Sequence, residues 1–272
     1  MEVLKAVLLA IVEGITEFLP ISSTGHLILV GDYLKFQDGD DFVHAFEVIV
    51  QLPAILAVVV YFWGELWPFG ADRDTRATWS LWSKIVVAFL PAAVTGLLLA
   101  EIIKEKLFNS VNVAVALLVG GVVLVVVERA RKEHRIADMR HVGYRMALLI
   151  GCFQCLAMIP GTSRSAATIV GAMLLGASRA AAAEFSFFLA IPTMAAATAY
   201  TLLKHGVAFS AHQWLLMGIG SVVSFAVAYG VIAFLMDFVK KHDFRLFGYY
   251  RIVLGAIVLL LYFLGQLGAA TP

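Results

Sequence analysis

Apolar residues run along this chain in long blocks, separated by short polar punctuation. Six blocks, at 46–63, 85–103, 111–127, 185–203, 214–236 and 246–265, have the length of a bilayer-crossing helix. A hydrocarbon core of about 30 Å takes roughly 17–25 such residues. Four further blocks, at about 3–18, 24–35, 145–159 and 166–177, are too short to cross. They come in two pairs, each joined by a polar elbow: Pro20-Ile21-Ser22-Ser23-Thr24-Gly25-His26 in the first, Pro160-Gly161-Thr162-Ser163-Arg164-Ser165 in the second. An interrupted helix survives at membrane depth only where protein or water takes up the freed backbone groups. Each pair is therefore predicted to be a re-entrant hairpin. The expected fold is an all-α polytopic membrane protein with six transmembrane helices and two re-entrant helical hairpins.

Composition agrees. Of the 272 residues, 61% are hydrophobic and 14% charged, against about 45–50% and 25% in soluble domains. A water-soluble globule is excluded. The net charge of +1 gives no case for nucleic-acid binding. No cleavable leader is expected, because Glu13 interrupts the first apolar run before any small-residue cleavage site. Basic residues predict sidedness. Arg73, Arg76, Lys84, Arg129, Arg131, Lys132, Arg135, Arg140, Arg145, Arg179, Lys240, Lys241 and Arg245 fall on one face, and only Lys5, Lys35, Lys104, Lys106 and Lys204 on the other. The first face is expected in the cytoplasm, with both termini and the first hairpin opening outward. Arg251 lies inside the last block, near its end, and is expected to snorkel.

The chain also matches itself. At an offset of 140, Leu19-Pro20-Ile21-Ser22-Ser23 aligns with Ile159-Pro160-Gly161-Thr162-Ser163; at 139, Phe46, Pro53 and Tyr61 meet Phe185, Pro192 and Tyr200; at 134, Gly96 and Gly121 meet Gly230 and Gly255. Three crossings separate corresponding points, and an odd number inverts the second half. The chain is thus expected to be one membrane domain built of inverted repeats, approximately 1–127 and 141–268. Inverted repeats place their sites where broken helices from the two halves meet, which here means the elbows.

Both elbows lead into short helices. A helix start offers unpaired N–H groups and a positive dipole end, which suit an anion. Ser22, Ser23, Thr24, Ser163 and Ser165 supply hydroxyls there, and Arg164 adds a planar fork that holds two phosphate oxygens at once. Glu13 and Glu17 stand four apart on one helical face. Two carboxylates at membrane depth call for a divalent cation, magnesium or calcium; the competing reading is a proton or sodium site. His26, three residues after Ser23, is a candidate general acid or base. Glu47, Gln51 and Glu184 either line the cavity or orient backbone. Cys152 and Cys155 have C-x-x-C spacing but no partner pair, and read as packing residues.

The stretches Glu13-Gly14-Ile15-Thr16-Glu17-Phe18-Leu19-Pro20-Ile21-Ser22-Ser23-Thr24-Gly25-His26 and Pro160-Gly161-Thr162-Ser163-Arg164-Ser165-Ala166-Ala167-Thr168 resemble the two signature regions of the bacitracin-resistance-type undecaprenyl-diphosphatases. Phe46-Glu47-Val48 to Trp63 and Glu184-Phe185-Ser186-Phe187 are similar to that family as well. The resemblance implies a bacterial inner-membrane hydrolase with its site open to the outer face. Such an enzyme removes the terminal phosphate of undecaprenyl diphosphate and so recycles the lipid carrier for peptidoglycan synthesis under bacitracin. It implies site roles for Glu13, Glu17, Ser23, His26, Ser163, Arg164 and Thr168, and a need for a divalent cation. The attacking group is left open between Ser23, with His26 or Glu17 taking its proton, and an activated water. The rival class is a small secondary transporter or polyprenyl-phosphate flippase. The expected partners are the polyprenyl diphosphate and membrane lipids. The sequence does not decide the oligomeric state, for which a homodimer is the working expectation.

Overall fold

The computed structural model describes residues 1–31, 40–69, 74–130, 135–205 and 209–267. Lys35, Arg73, Arg131, Lys132, the end of the 24–35 block and residue 268 lie outside them. Among the described residues, every apolar block has become a helix. The helices are α1 (Glu2–Thr16), α2 (Ser23–Gly31), α3 (Asp40–Tyr61), the single turn α4 (Trp63–Leu66), α5 (Thr75–Leu107), α6 (Ser110–Arg129), α7 (Tyr144–Cys155), α8 (Arg164–Leu174), α9 (Arg179–His205), α10 (Ala211–Lys241) and α11 (Arg245–Phe263). No strand occurs among the described residues. Five helices are long and apolar enough to cross a membrane: α5, α6, α9, α10 and α11. The sixth expected span falls in α3, whose apolar part, Ala45–Tyr61, is shorter.

The packing has a two-fold pattern. Helix α1 packs on α10 as α7 packs on α5; α1 meets α2 as α7 meets α8; α6 contacts α8 as α11 contacts α2. Pairs α3–α9 and α6–α11 close on each other. Pro53 and Pro192 sit inside α3 and α9, where each removes one ladder bond. Near Pro53 the helix is braced from outside: Thr198 donates to the Val48 carbonyl at 3.2 Å and Ser224 to that of Val50 at 2.9 Å. A hydroxyl from a neighbouring helix is the usual remedy in a membrane.

One end of the bundle gathers the basic residues. Lys84 donates to the Arg140 carbonyl at 2.9 Å. Arg179, at the start of α9, donates to Glu128, at the end of α6, at 2.7 Å, and the Phe244 N–H before α11 donates to the same carboxylate at 3.0 Å. That carboxylate is fully buried, so removing Arg179 would leave a buried charge short of its partner, a change that costs several kcal/mol in comparable sites, roughly 3–5. The bolt ties three helix ends together and leaves the interior free for the elbows.

Candidate active site

Each elbow is built on one strained residue. Ser22 and Ser163 adopt φ of 73° and 72°, a left-handed conformation that non-glycine residues avoid at a cost of about 1–2 kcal/mol. Both stand immediately before a helix, α2 and α8. The strain aims the helix starts inward, and Ser163 caps α8 by accepting from the Ala166 N–H at 3.3 Å. Gly161 has φ of 92°, and a Cβ there would run into the Val113 carbonyl oxygen. Only glycine fits, because the second elbow lies directly on the backbone of α6.

Ser22 and Ser163 share this backbone conformation at a separation of 141 residues. At the same separation, Arg164 stands where the first elbow has Ser23, and Gln154 where it has Glu13.

The elbows meet. Arg164 Nη2 donates to Glu17 Oε1 at 3.1 Å, and Ser23 Oγ donates to Glu17 Oε2 at 3.1 Å. Ser165 Oγ reaches across to the Leu19 carbonyl at 2.9 Å. One carboxylate thus joins the hydroxyl of the first elbow to the guanidinium of the second. Arg164 Nη1 donates to the Ser186 carbonyl at 3.0 Å, and its guanidinium carbon lies 6.0 Å from the centre of the Phe18 ring. Its Nε–H is buried with no hydrogen-bond partner. Both carboxylate oxygens of Glu13, a residue only 1% exposed, also lack a hydrogen-bond partner.

A cavity of about 280 Å³ opens at this junction, lined by Glu17, Ser22, Ser23, Thr24, Ser163 and Arg164 among others. Gln51, Gln154 and Thr193 add polar groups from α3, α7 and α9. Ser165 and Thr168 are fully buried behind the wall. Direct phosphate contacts were expected of them, but Thr168 Oγ1 packs against Ser186 Oγ at 2.6 Å and bonds the Arg164 carbonyl at 2.9 Å. Both hydroxyls are consumed in holding the second elbow. His26 also lies off the cavity: its Nδ1 is 2.7 Å from the Ser22 carbonyl and its Nε2 2.7 Å from the Tyr250 hydroxyl. Glu184 stands near Glu65, Asp138, Arg140 and Lys240, none of which lines the cavity. Cys155 bonds the Gly151 carbonyl and Thr95, as a packing residue does.

Arg251 corrects the sequence reading most sharply. It does not snorkel; it is 0% exposed. Its guanidinium donates to the carbonyls of Thr162 at 2.9 Å, Gly161 at 3.1 Å, Ala116 at 3.3 Å and Pro20 at 3.4 Å. It therefore holds both elbows and α6 at once. The signal was present as the one Lys or Arg inside the six bilayer-length blocks. Its distance from the block's end hid where it points.

A divalent cation can be tested against these groups. Among the described residues no cluster of three or more His, Cys, Asp or Glu forms; calcium takes six to eight oxygens, carbonyls and waters among them. Magnesium commonly takes one or two carboxylates and completes its shell with water and substrate phosphate. The unpartnered oxygens of Glu13, one turn from Glu17, fit that mode.

The model of the family described as bacitracin resistance protein BacA matches residues 6–257. Similar proteins include undecaprenyl-diphosphatase 1 of Clostridioides difficile (strain 630), 51% identical over 97% of both chains. The undecaprenyl-diphosphatase of Fusobacterium nucleatum is 52% identical over 94% of this chain and 98% of its own, and that of Enterococcus faecalis 48% over 96% and 97%. Across nearly its whole length, from the first signature through α11, the chain belongs to the bacitracin resistance protein BacA family.

Proposed function

We propose that this chain is an undecaprenyl-diphosphate phosphatase, hydrolysing undecaprenyl diphosphate to undecaprenyl phosphate and inorganic phosphate. The reading rests above all on complementary unsatisfied groups around one hydroxyl. The Arg164 Nε–H seeks an anion, the Glu13 carboxylate seeks a cation, and Ser23 donates to Glu17, which also bonds Arg164. A diphosphate headgroup with its counter-cation satisfies both. A cavity of about 280 Å³ takes the headgroup and leaves the prenyl tail among lipids.

In this mechanism Arg164, the Ser163 hydroxyl and the N–H groups at the starts of α2 and α8 bind the phosphates, with Ser22 and Thr24 beside them. Ser23 Oγ attacks the terminal phosphorus and gives its proton to Glu17. The bond from that phosphorus to the bridging oxygen breaks, and undecaprenyl phosphate leaves. Water then hydrolyses the phosphoserine, returning the proton to Ser23 and releasing phosphate. Glu13 and Glu17 would hold a magnesium ion, which would supply charge neutralisation on the phosphoryl oxygens, the main task in such transfers. Ser165 and Thr168 position the second elbow.

The same reading takes the two-fold packing as an inverted repeat, approximately 1–127 and 141–268, with six spans and two re-entrant hairpins. It places the chain in the bacterial inner membrane with the site open outward. A flippase would use the repeat but leaves Ser23 and its hydrogen bond to Glu17 without a task. The test is phosphate release from undecaprenyl diphosphate by detergent-purified protein with magnesium. Release that stops with chelator and returns with magnesium supports the reading; lipid movement across vesicles without release overturns it.

A further inference from the structure

We propose that His26 and Tyr250 form a positioning pair that holds the Ser22 carbonyl, and that His26 carries no proton to or from the reacting groups. The inference builds on the phosphatase reading and concerns how the first elbow is kept in shape.

A carbonyl oxygen only accepts, so the 2.7 Å contact between His26 Nδ1 and the Ser22 carbonyl puts the hydrogen on Nδ1. In the neutral ring Nε2 is then an acceptor, and the Tyr250 hydroxyl lies 2.7 Å from it, donating. The two rings lie parallel within 8°, their centres 5.5 Å apart. Both nitrogens are therefore committed, and the tautomer is set by the partner of each. Neither partner is Ser23, whose hydroxyl donates to Glu17 instead. Ser22, Ser23 and Thr24 line the cavity while His26 does not.

What the pair holds is the strained residue itself. Ser22 keeps φ at 73°, and a conformation of this kind persists only when its surroundings over-determine it. The imidazole clamps the carbonyl of that residue from within α2, and Tyr250 fixes the ring from α11. Tyr250 is followed in sequence by Arg251, which bonds the Pro20 carbonyl two residues before Ser22. Adjacent side chains of α11 thus grip the first elbow on both sides of its turn.

The experiment measures phosphate release from undecaprenyl diphosphate with purified full-length His26→Asn, His26→Leu and Tyr250→Phe variants, each checked for a wild-type elution profile in detergent. The Asn amide can donate where Nδ1–H does but cannot accept a proton at neutral pH. Positioning predicts that His26→Asn stays within about tenfold of wild type, the scale of one altered hydrogen bond, while His26→Leu falls at least roughly hundredfold. Tyr250→Phe should lower kcat by about three- to tenfold at unchanged KM. A general base would instead lose about 10²–10⁴-fold in His26→Asn as in His26→Leu, and that result overturns the proposal. So does a Tyr250→Phe enzyme equal to wild type, or a fully active His26→Leu. Absence of phosphate release from the wild-type protein would fault the phosphatase reading instead.

Discussion

Ser22 and Ser163 share one backbone conformation, with φ of 73° and 72°, and each immediately precedes a short helix. The residue that follows is a hydroxyl in the first elbow, Ser23, and a guanidinium in the second, Arg164. Ten positions earlier the first elbow has Glu13 and the second Gln154, both nearly fully buried. The two halves therefore keep the device that turns a helix start inward and differ in the charge it delivers. Attack on a phosphate needs a nucleophile, an anion holder and a cation holder in one place. Two identical elbows would supply two of one kind and none of another. The acidic first elbow and the basic second one meet through Glu17, which bonds both.

The largest effects should come from the positions where the elbows differ. Arg164→Ala and Ser23→Ala should each lower phosphate release by at least about 10²–10³-fold, with the thermal midpoint of Ser23→Ala close to wild type. Near-normal turnover in either purified variant would mean that the difference between the elbows is not the catalytic one. Glu13→Gln makes the first elbow resemble the second, where Gln154 stands. Its phosphate release should need roughly ten- to a hundredfold more magnesium for half-saturation, read by metal titration after chelation.

Arg251→Met tests the part both elbows share. It strips one donor set from carbonyls of both, each buried acceptor left unmade costing about 1–3 kcal/mol. A lower thermal midpoint in detergent should accompany its loss of activity, unlike Ser23→Ala. The smallest effect belongs to the strained serine. The Ser22 hydroxyl makes only a long 3.4 Å contact to the Gly25 N–H, so Ser22→Gly should stay within about threefold of wild type, since glycine adopts positive φ freely. Ser22→Val should be about 1–2 kcal/mol less stable than Ser22→Gly, measured by thermal unfolding. Equal behaviour of the two would remove backbone strain from the account.

Much of this was legible beforehand, and the reasons differ by residue. The ten apolar blocks became helices because every backbone group in hydrocarbon must bond within its own segment. Pro20, Pro160 and Gly161 marked the breaks, and the paired glutamates, serines and Arg164 stood out as polar groups where few are tolerated. Side-chain direction is not legible in this way. The elbow hydroxyls make Ser165 a phosphate-binding candidate and the family resemblance makes Thr168 one, but that their hydroxyls turn to the Leu19 carbonyl and to Ser186 is settled only by packing. Arg251 was read as snorkelling on its place in a block, but α6 and both elbows surround it. Tyr250 carried no signal at all, since one tyrosine in a membrane span resembles any other.

The amino-acid sequence by itself determined which segments are helical, where they break, and which residue types gather at the breaks. Hydrophobic run length and glycine or proline act over a few neighbours and need no knowledge of the rest of the chain. The tertiary structure alone decided that Glu17 bonds Ser23 and Arg164 together, that Arg251 holds two loops separated by about half the chain, and that Tyr250 locks His26. Each of those contacts joins residues distant in sequence, and whether a side chain meets its partner depends on the rotation and depth of two helices. Local pattern leaves both undetermined until the helices pack.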